Sequence, residues 1–229
     1  MSSVPELAAR WELEDRAVAR LEALLYVVEA DPHAPTTVRA RAEAVDAHLA
    51  DSLVALELPG VRVARRVADL GSGAGFPGLA LAAALPGARV SAVESAGRRC
   101  DFLRRAVQAA GLENVEVVHA RAEAWREGTG ACDLVTARAL ASLPVLAEYA
   151  APLLREGGTL VAWKGRRDPG EEAAGAAAAE QLGLEPQEVR RVEPFPAARD
   201  RHLHVYRKTA PTPARFPRRA GMAAKRPLA

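Results

Sequence analysis

The chain has 229 residues, a net charge of +2, 49% hydrophobic and 26% charged residues, enough apolar material for one α/β core with a small appendage. Its two cysteines lie in apolar segments without a CxxC motif or a neighbouring histidine, which argues against a disulfide framework or a zinc site and fits a reducing cytoplasm. No basic-then-apolar leader opens the chain, and no stretch approaches the roughly 20 apolar residues that span a bilayer. We therefore expect a soluble, cytoplasmic protein that is neither secreted nor membrane-spanning.

Residues 1–62 are predicted to form an N-terminal helical cap. Apolar residues recur at helical spacing from Leu7 to Val28 and again from Val45 to Leu56. The segment 31–35 between them contains two prolines, which remove backbone donors and disfavour helix in the preceding residue. We expect two helices separated at this point.

Residues 63–209 predict a seven-stranded, mostly parallel sheet. Short apolar runs alternate there with amphipathic stretches, a pattern typical of βα units. The predicted strands are Arg66–Leu70, Arg89–Glu94, Val115–His119, Cys132–Ala137, Thr159–Lys164, Glu188–Val192 and His202–Lys208. The predicted helices are Gly78–Ala84, Gly97–Ala110, Leu143–Leu154 and Gly170–Leu182.

Residues 210–229 predict a flexible basic tail. Residues 1–63 carry six basic and eleven acidic side chains, whereas from Arg201 to the last residue there are eight basic side chains and no acidic one. Such a stretch attracts a polyanion such as nucleic acid. A solvated, disordered tail is an equally good interpretation.

The most informative stretch is a buried strand that runs into a turn containing Gly71, Gly73 and Gly75 and then into a helix. Three glycines in five positions let the backbone turn sharply and approach a ligand within contact distance. The alternative is a tight connection without a ligand, for which so many glycines would be a costly excess. The stretch therefore predicts a nucleotide-binding site.

The identity of the nucleotide depends on the acidic residues around the turn. Residues 73–78 also satisfy the dinucleotide fingerprint GxGxxG, which alone is a weak signal. Asp69, two residues before the first glycine, instead gives the DxGxGxG pattern of methyltransferase motif I. Glu94 closes the second strand, where a carboxylate can accept hydrogen bonds from ribose hydroxyls, as it also does in NAD enzymes. Glu123, after the third strand, has no counterpart in a reductase, so the pattern favours S-adenosyl-L-methionine.

Each of these acids also has a structural interpretation. Glu94 could be a surface carboxylate at a strand end, and Glu123 could be an acid favoured by the dipole of a helix N-terminus. Asp69 is harder to explain without a function, because burying a carboxylate costs several kcal/mol unless it is paired or hydrogen-bonded.

Several motifs in one order resemble the ribosomal small-subunit methyltransferase G family, also called glucose-inhibited division protein B. The similar region is roughly 45–208, and its motifs are the segments 48–53, 71–79, 97–103, 138–142, 163–165 and 201–203. The resemblance implies a class I methyltransferase with a Rossmann-like fold, in which Asp69 anchors the methionine end of the cofactor. The pocket residues it implies, together with the glycine turn, are Asp69, Gly71, Gly73, Phe76, Glu94, Ser95, Ala96, Ala122, Glu123 and Arg138.

The resemblance also implies the reaction. Family members methylate N7 of one guanine in small-subunit (16S) ribosomal RNA, so the expected partner is that RNA or the assembling small subunit, and we expect a monomer. The N-terminal region departs from the family pattern, because an Asn-Leu-Thr element is replaced by the sequence of residues 34–38, which contains no asparagine.

Guanine N7 carries a lone pair and no proton, so we expect no catalytic acid or base and no metal; alignment of the reactants is sufficient. Arg138 and Lys164 follow the fourth and fifth strands, where ligands of open α/β sheets bind, and Arg201 and His202 open the last strand. These four residues are the candidate RNA-binding groups, although Arg138 and Lys164 could instead form salt bridges to Asp51 or Glu123. Other possible functions are methylation of a small molecule or protein and a catalytically silent RNA-binding module.

Overall fold

The structure is a computed structural model that describes residues 2–228. It contains one seven-stranded sheet in the order β3-β2-β1-β4-β5-β7-β6. Strands β1 to β5 pair in parallel, and β7 runs antiparallel to both β5 and β6. The predicted seven-stranded, mostly parallel α/β sheet is therefore confirmed. The strands are β1 Arg66–Leu70, β2 Arg89–Glu94, β3 Val115–His119, β4 Cys132–Arg138, β5 Leu154–Lys164, β6 Leu184–Arg191 and β7 His202–Lys208.

Helices cover both faces of this sheet. One apolar cluster joins the N-terminal helices to α6, α7 and one face of the sheet, and a second cluster packs α8 and α9 on the other face. The α-helices are α1 Val4–Trp11, α2 Asp15–Ala30, α3 Arg41–Ala44, α4 Asp51–Leu53, α5 Pro59–Arg62, α6 Gly78–Ala84, α7 Gly97–Ala109, α8 Leu143–Ala150, α9 Pro169–Gln181 and α10 Met222–Lys225. No helix within residues 2–228 is long and apolar enough to cross a membrane.

The N-terminal region contains more helices than the two that the sequence predicts. The first series is interrupted at Glu12, which adopts a left-handed conformation with φ of 55° and ends α1. The second series contains a π-helix over Val45–Ala50, in which the Asp51 N–H reaches back to the Asp46 carbonyl. That wider turn frees the Ala47 carbonyl, which accepts a hydrogen bond from Arg138 on β4. The π-helix thus coincides with a contact from the sheet, and hydrophobic periodicity in the sequence does not predict this contact.

Three predicted boundaries in the second half are also wrong by several residues, among them the start of β5, which lies at Leu154 and not at Thr159. Helix α8 ends at Ala150 and not at Leu154, because Pro152 has no backbone N–H with which to continue the helical hydrogen bonds. Strand β6 begins at Leu184 and includes Pro186 beside a register shift. Proline is tolerated there because β6 lies at the edge of the sheet, where a backbone donor is not needed.

The segment after β7 folds back onto the body, which differs from the free tail that its composition predicts. Phe216 is 8% exposed and Ala223 is 1% exposed. Arg218 forms an ion pair with the fully buried Glu148 of α8. The expected basic character holds at the exposed Arg215 and Arg219.

The sheet order reverses between β1 and β4, which lie side by side although α6, β2, α7 and β3 separate them in the chain. Ligands of open α/β sheets bind outside the carboxyl ends of the strands at such a switch point. The turn after β1 and the residues that follow β2 and β4 therefore meet at the expected ligand site.

Candidate cofactor and RNA site

The glycine turn after β1 has backbone geometry that requires glycine. Gly71, Gly73 and Gly75 have φ values of 64°, 54° and 95°, in the region where a Cβ atom clashes with the backbone. The Gly71 N–H donates to the Val93 carbonyl over 2.8 Å, which ties the turn to β2. A Cβ on Gly73 would find only the Gly71 carbonyl oxygen, 3.7 Å away, so the space above this residue is open.

Asp69 holds this turn from inside the protein. Its carboxylate accepts hydrogen bonds from the Ser72 hydroxyl (2.7 Å), the Thr136 hydroxyl (2.8 Å) and the Gly78 N–H (3.2 Å). Burial raises the pKa of the Asp69 carboxyl, and these three donors act against that rise. Because its three donors come from the turn, the start of α6 and β4, the geometry shows that Asp69 shapes the turn. The cofactor contact that the resemblance implies stays a prediction.

Glu94 lies at the end of β2 and faces the glycine turn. Its two carboxylate oxygens accept hydrogen bonds from the Gly73 N–H (3.1 Å) and the Ala96 N–H (2.9 Å). The Arg99 guanidinium lies 3.8 Å from the same carboxylate. Each carboxylate oxygen retains a free lone pair, so Glu94 can still accept from a ligand beside Gly73.

Four further predicted cofactor residues lie beside this point in two groups. Ser95 and Ala96 follow Glu94, and the Ser95 carbonyl lies 3.2 Å from the His119 ring at the end of β3. Ala122 and Glu123 form a single 3₁₀ turn after β3, and both are partly exposed. These residues therefore line the edge of the sheet next to Glu94.

Phe76 lies on the opposite side of the turn and faces the N-terminal helices. Its ring stacks on His48 with centroids 4.7 Å apart and an angle of 3° between the ring planes. Burial lowers the pKa of His48, so its imidazole is neutral at pH 7. The Nε2 atom of His48 lies 2.9 Å from the Val38 carbonyl and 3.2 Å from the Thr36 hydroxyl. The pair joins the glycine turn to the cap.

Asp51 connects two of the predicted RNA-binding residues. Arg138 donates to the Asp51 carboxylate over 2.7 Å, so the salt bridge that the sequence offers as an alternative role is present. Arg201 Nε lies 3.3 Å from the other carboxylate oxygen, without hydrogen-bond geometry. Trp163 Nε1 donates to the Asp51 backbone carbonyl over 2.7 Å. The two arginines thus converge on one acid of the cap.

Lys164 and His202 lie opposite each other in the β5–β7 pairing, beside this cluster. Lys164 Nζ donates to Glu171 over 2.6 Å, so its acidic partner is neither Asp51 nor Glu123. The Glu171 carboxylate is placed by the start of α9, where Asp168 accepts from the Glu171 N–H. His202 Nδ1 lies 2.9 Å from the Gly165 carbonyl. All four predicted RNA-binding residues therefore occupy one edge of the sheet.

Sequence reasoning did not include His48, Asp51 or Trp163 among the site residues. His48 and Asp51 are part of the segment 48–53 that carries the family resemblance. Two polar side chains in an otherwise apolar helix could have marked them as candidate site residues. Their partners Phe76 and Arg138 lie far away in the chain, so only the folded structure shows the contacts.

The geometry fits a nucleoside ligand. The open space above Gly73, the available lone pairs of Glu94 and the partly exposed turn at Glu123 lie at consecutive strand ends. A carboxylate beside a glycine turn is suited to accept hydrogen bonds from ribose hydroxyls. No cluster of three or more metal-ligating side chains occurs within the described part of the chain.

The sheet order and this site define a class I methyltransferase fold. A SAM dependent methyltransferase from Aquifex aeolicus superposes with a TM-score of 0.57 at 19% identity, covering 80% of this chain and 95% of that chain. The 16S rRNA (adenine(1408)-N(1))-methyltransferase from Catenulisporales acidiphilia superposes with a TM-score of 0.54 at 18% identity, covering 66% and 88%. At these identities the likeness shows the fold alone.

Sequence comparison is more specific. The family model GidB, rRNA small subunit methyltransferase G, matches residues 27–203. A Rubrobacter xylanophilus protein named ribosomal RNA small subunit methyltransferase G is 46% identical over 187 residues, which cover 79% of this chain and 72% of the relative. A Chloroflexus aggregans protein of the same name is 43% identical over 201 residues, covering 84% and 82%. The chain belongs to the rRNA small subunit methyltransferase G family, which confirms the resemblance seen in the sequence.

Proposed function

We propose that this protein transfers the methyl group of S-adenosyl-L-methionine to N7 of a guanine in small-subunit (16S) ribosomal RNA. Family membership supports the reaction and the RNA class. The observation that carries the proposal is the juxtaposition of a nucleoside-type pocket, at Gly73 and Glu94, with an edge that presents Arg138 and Arg201. The first binds the methyl donor and the second binds a phosphodiester substrate.

The bound cofactor supplies an electrophilic methyl group on a sulfonium. In this proposal Glu94 accepts hydrogen bonds from the ribose, and the loops at Ser95 and Ala122–Glu123 contact the adenine. Gly71 and Gly73 allow the backbone to approach the cofactor closely, and Asp69 keeps the turn in that shape. Phe76 supports the turn from the cap side, where it stacks on His48.

The Asp69 carboxylate and the two thiols of this chain are not available as a proton acceptor or a nucleophile. The Asp69 carboxylate is occupied by three protein donors. Burial raises the pKa of the Cys132 thiol to about 11 and also raises that of Cys100, so neither is a thiolate at pH 7. Guanine N7 requires neither, because its lone pair is free to attack, and alignment of nucleophile and methyl carries the reaction.

The basic edge positions the RNA. Arg201 is 44% exposed and Lys164 is 21% exposed, so both remain accessible to phosphate. Arg138 is 17% exposed and is oriented by Asp51 and the Ala47 carbonyl. A guanidinium held in this way can donate to the O6 and N7 edge of a guanine or to a neighbouring phosphate. His202, whose Nδ1 lies beside the Gly165 carbonyl, positions the start of β7 at this edge.

The proposal also includes the organisation and location of the protein. We place the cap at residues 1–62, the methyltransferase domain at 63–209 and the basic segment at 210–229. We further propose that the protein acts as a monomer in the cytoplasm, on small-subunit RNA or on the assembling subunit.

The test is incubation of the protein with labelled S-adenosylmethionine and either small-subunit RNA or small subunits, followed by mass spectrometry of the nucleosides. We expect 7-methylguanosine, and reduction followed by aniline treatment should cleave the RNA at one strong site. The variant Gly73→Val serves as the inactive control. Label that appears only in protein, in small molecules or in another nucleoside would refute the proposal.

A further inference from the structure

The C-terminal segment, residues 216–226, contacts the predicted cofactor site directly. The Gly221 N–H donates to Glu123 Oε1 over 2.8 Å. Glu123 sits on one of two single 3₁₀ turns that connect β3 to β4, and its neighbour Ala122 packs on the apolar cluster of α8 while Glu123 itself remains partly exposed. A short turn with few neighbours holds its side chains loosely unless another segment packs on it. The hydrogen bond from Gly221 fixes one oxygen of Glu123 and leaves the other free to accept from a ligand.

A buried ion pair anchors the same segment. Arg218 Nε donates to Glu148 Oε1 over 2.8 Å, and its Nη2 donates both to Glu148 Oε2 and to the Arg226 carbonyl. The Glu148 side chain is 1% exposed. A carboxylate that is so deeply buried needs its partner, which makes the docked position of Arg218 strongly preferred. Arg218 therefore determines where the Gly221 N–H lies.

We propose that the C-terminal segment is a wall of the cofactor site and that Arg218 is the positioning residue that holds it on Glu123. This inference rests on the proposed assignment of Glu123 to the cofactor. The matched family region ends at residue 203, so the segment lies beyond it. Undocking the segment releases Glu123 and opens the adenine side of the pocket, so affinity for S-adenosylmethionine depends on the docked population.

The experiment compares Arg218→Ala with Arg219→Ala by calorimetric titration of the full-length protein with S-adenosylmethionine. Both substitutions remove one basic side chain from the same segment, but Arg219 is exposed and its side chain forms no hydrogen bond or ion pair within residues 2–228. If Arg218→Ala lowers the docked fraction to about one tenth, the dissociation constant rises roughly tenfold. Arg219→Ala should change it less than about twofold, and Arg218→Lys should recover part of the affinity because Lys retains the charge.

A second variant removes the concern that Arg218→Ala leaves Glu148 buried and unpaired. Arg218→Ala combined with Glu148→Leu removes both charges, so no buried charge is left unpaired, and alanine is too short to replace the lost contact, so the anchor is lost. The same loss of cofactor affinity is expected in this variant. Hydrogen exchange gives a reciprocal readout, because cofactor binding should slow exchange of the amides in residues 216–226 of the wild type.

The outcomes separate this inference from the proposed function. Wild-type protein that does not bind S-adenosylmethionine would refute both. Wild-type binding that is matched by Arg218→Ala and by the double variant would overturn only the inference, as would exchange in residues 216–226 that does not respond to cofactor. Loss of RNA affinity alone, equal in Arg218→Ala and Arg219→Ala, would also overturn it and would show a segment that serves only as an RNA contact.

Discussion

The Asp51–Arg138 ion pair provides a sharp test, because it joins the cap to the sheet within the site. Its side chains are 8% and 17% exposed, and breaking a buried pair by removing one partner costs about 3–5 kcal/mol. The two removals differ in this protein. After Arg138→Met, Asp51 still has Arg201 at 3.3 Å, whereas Asp51→Leu leaves two guanidinium groups facing each other.

We therefore expect unequal costs. Arg138→Met should lower the free energy of unfolding by about 2–3 kcal/mol and Asp51→Leu by about 3–5 kcal/mol. For a chain of this size each kcal/mol corresponds to roughly 2–4 °C in the melting temperature. The double variant should lie within about 1.5 kcal/mol of the wild type, since a buried pair can often be replaced by apolar side chains without loss.

Activity should not follow stability. The double variant restores packing but lacks the guanidinium that we assign to the RNA, so its yield of 7-methylguanosine should remain near background. Guanidinium chloride unfolding and nucleoside mass spectrometry on the same preparations measure the two properties. Equal costs for the single variants, or a double variant no more stable than Asp51→Leu, would refute the role of this ion pair in joining the cap to the sheet. A double variant that methylates RNA would show that Arg138 is purely structural.

Three further predictions address the turn, the tail and the buried thiol. Gly73→Val should raise the S-adenosylmethionine dissociation constant beyond calorimetric detection, whereas Gly130→Val, at a φ of 62° with open space around it, should impose similar strain and leave binding intact. Replacing the exposed Arg215 and Arg219 together by alanine should flatten the dependence of log RNA affinity on log salt, because fewer counterions are released; an unchanged slope would exclude these two tail side chains from the RNA interface. The folded-state pKa of Cys132, about 11, exceeds its ordinary value of 9.0, so the unfolded chain ionises first and stability should fall as pH rises from about 9 to 11. Cys132→Ala should reduce this loss of stability in alkaline denaturation measurements. An identical dependence of stability on pH in the variant and the wild type would contradict the raised pKa of Cys132.

The strands were predictable because a buried parallel strand produces a short apolar run whose ends are marked by turn residues. The buried strands Arg66–Leu70 and Arg89–Glu94 have the predicted bounds, and so does the partly exposed edge strand Val115–His119, whose valines favour a strand. The glycine turn was predictable for a similar reason, since its backbone conformation restricts the residue type locally. Local constraints of this kind depend only on residues that are neighbours in the sequence.

The connections between distant segments were not predictable in the same way. The π-helix at Val45–Ala50 accompanies a hydrogen bond from Arg138, which is 91 residues away from its acceptor Ala47. The composition of the tail predicts a solvated polycation, yet Arg218 forms an ion pair with Glu148, 70 residues earlier in the chain. A single sequence shows a charged residue but not the buried partner that determines its position.

Both ends of the chain therefore contribute to the same site. The cap provides Asp51, which orients Arg138 at the end of β4, and the C-terminal segment provides the Gly221 N–H, which orients Glu123 after β3. Strands β3 and β4 flank β2 and β1, whose ends carry Glu94 and the glycine turn. Each of these two contacts fixes one side chain through a single partner from a remote segment. Removing either contact should therefore disturb one side of the pocket and leave the glycine turn itself in place. Changes in the C-terminal segment should therefore act mainly on the affinity for the cofactor, whereas changes at Asp51 should act mainly on the binding of RNA.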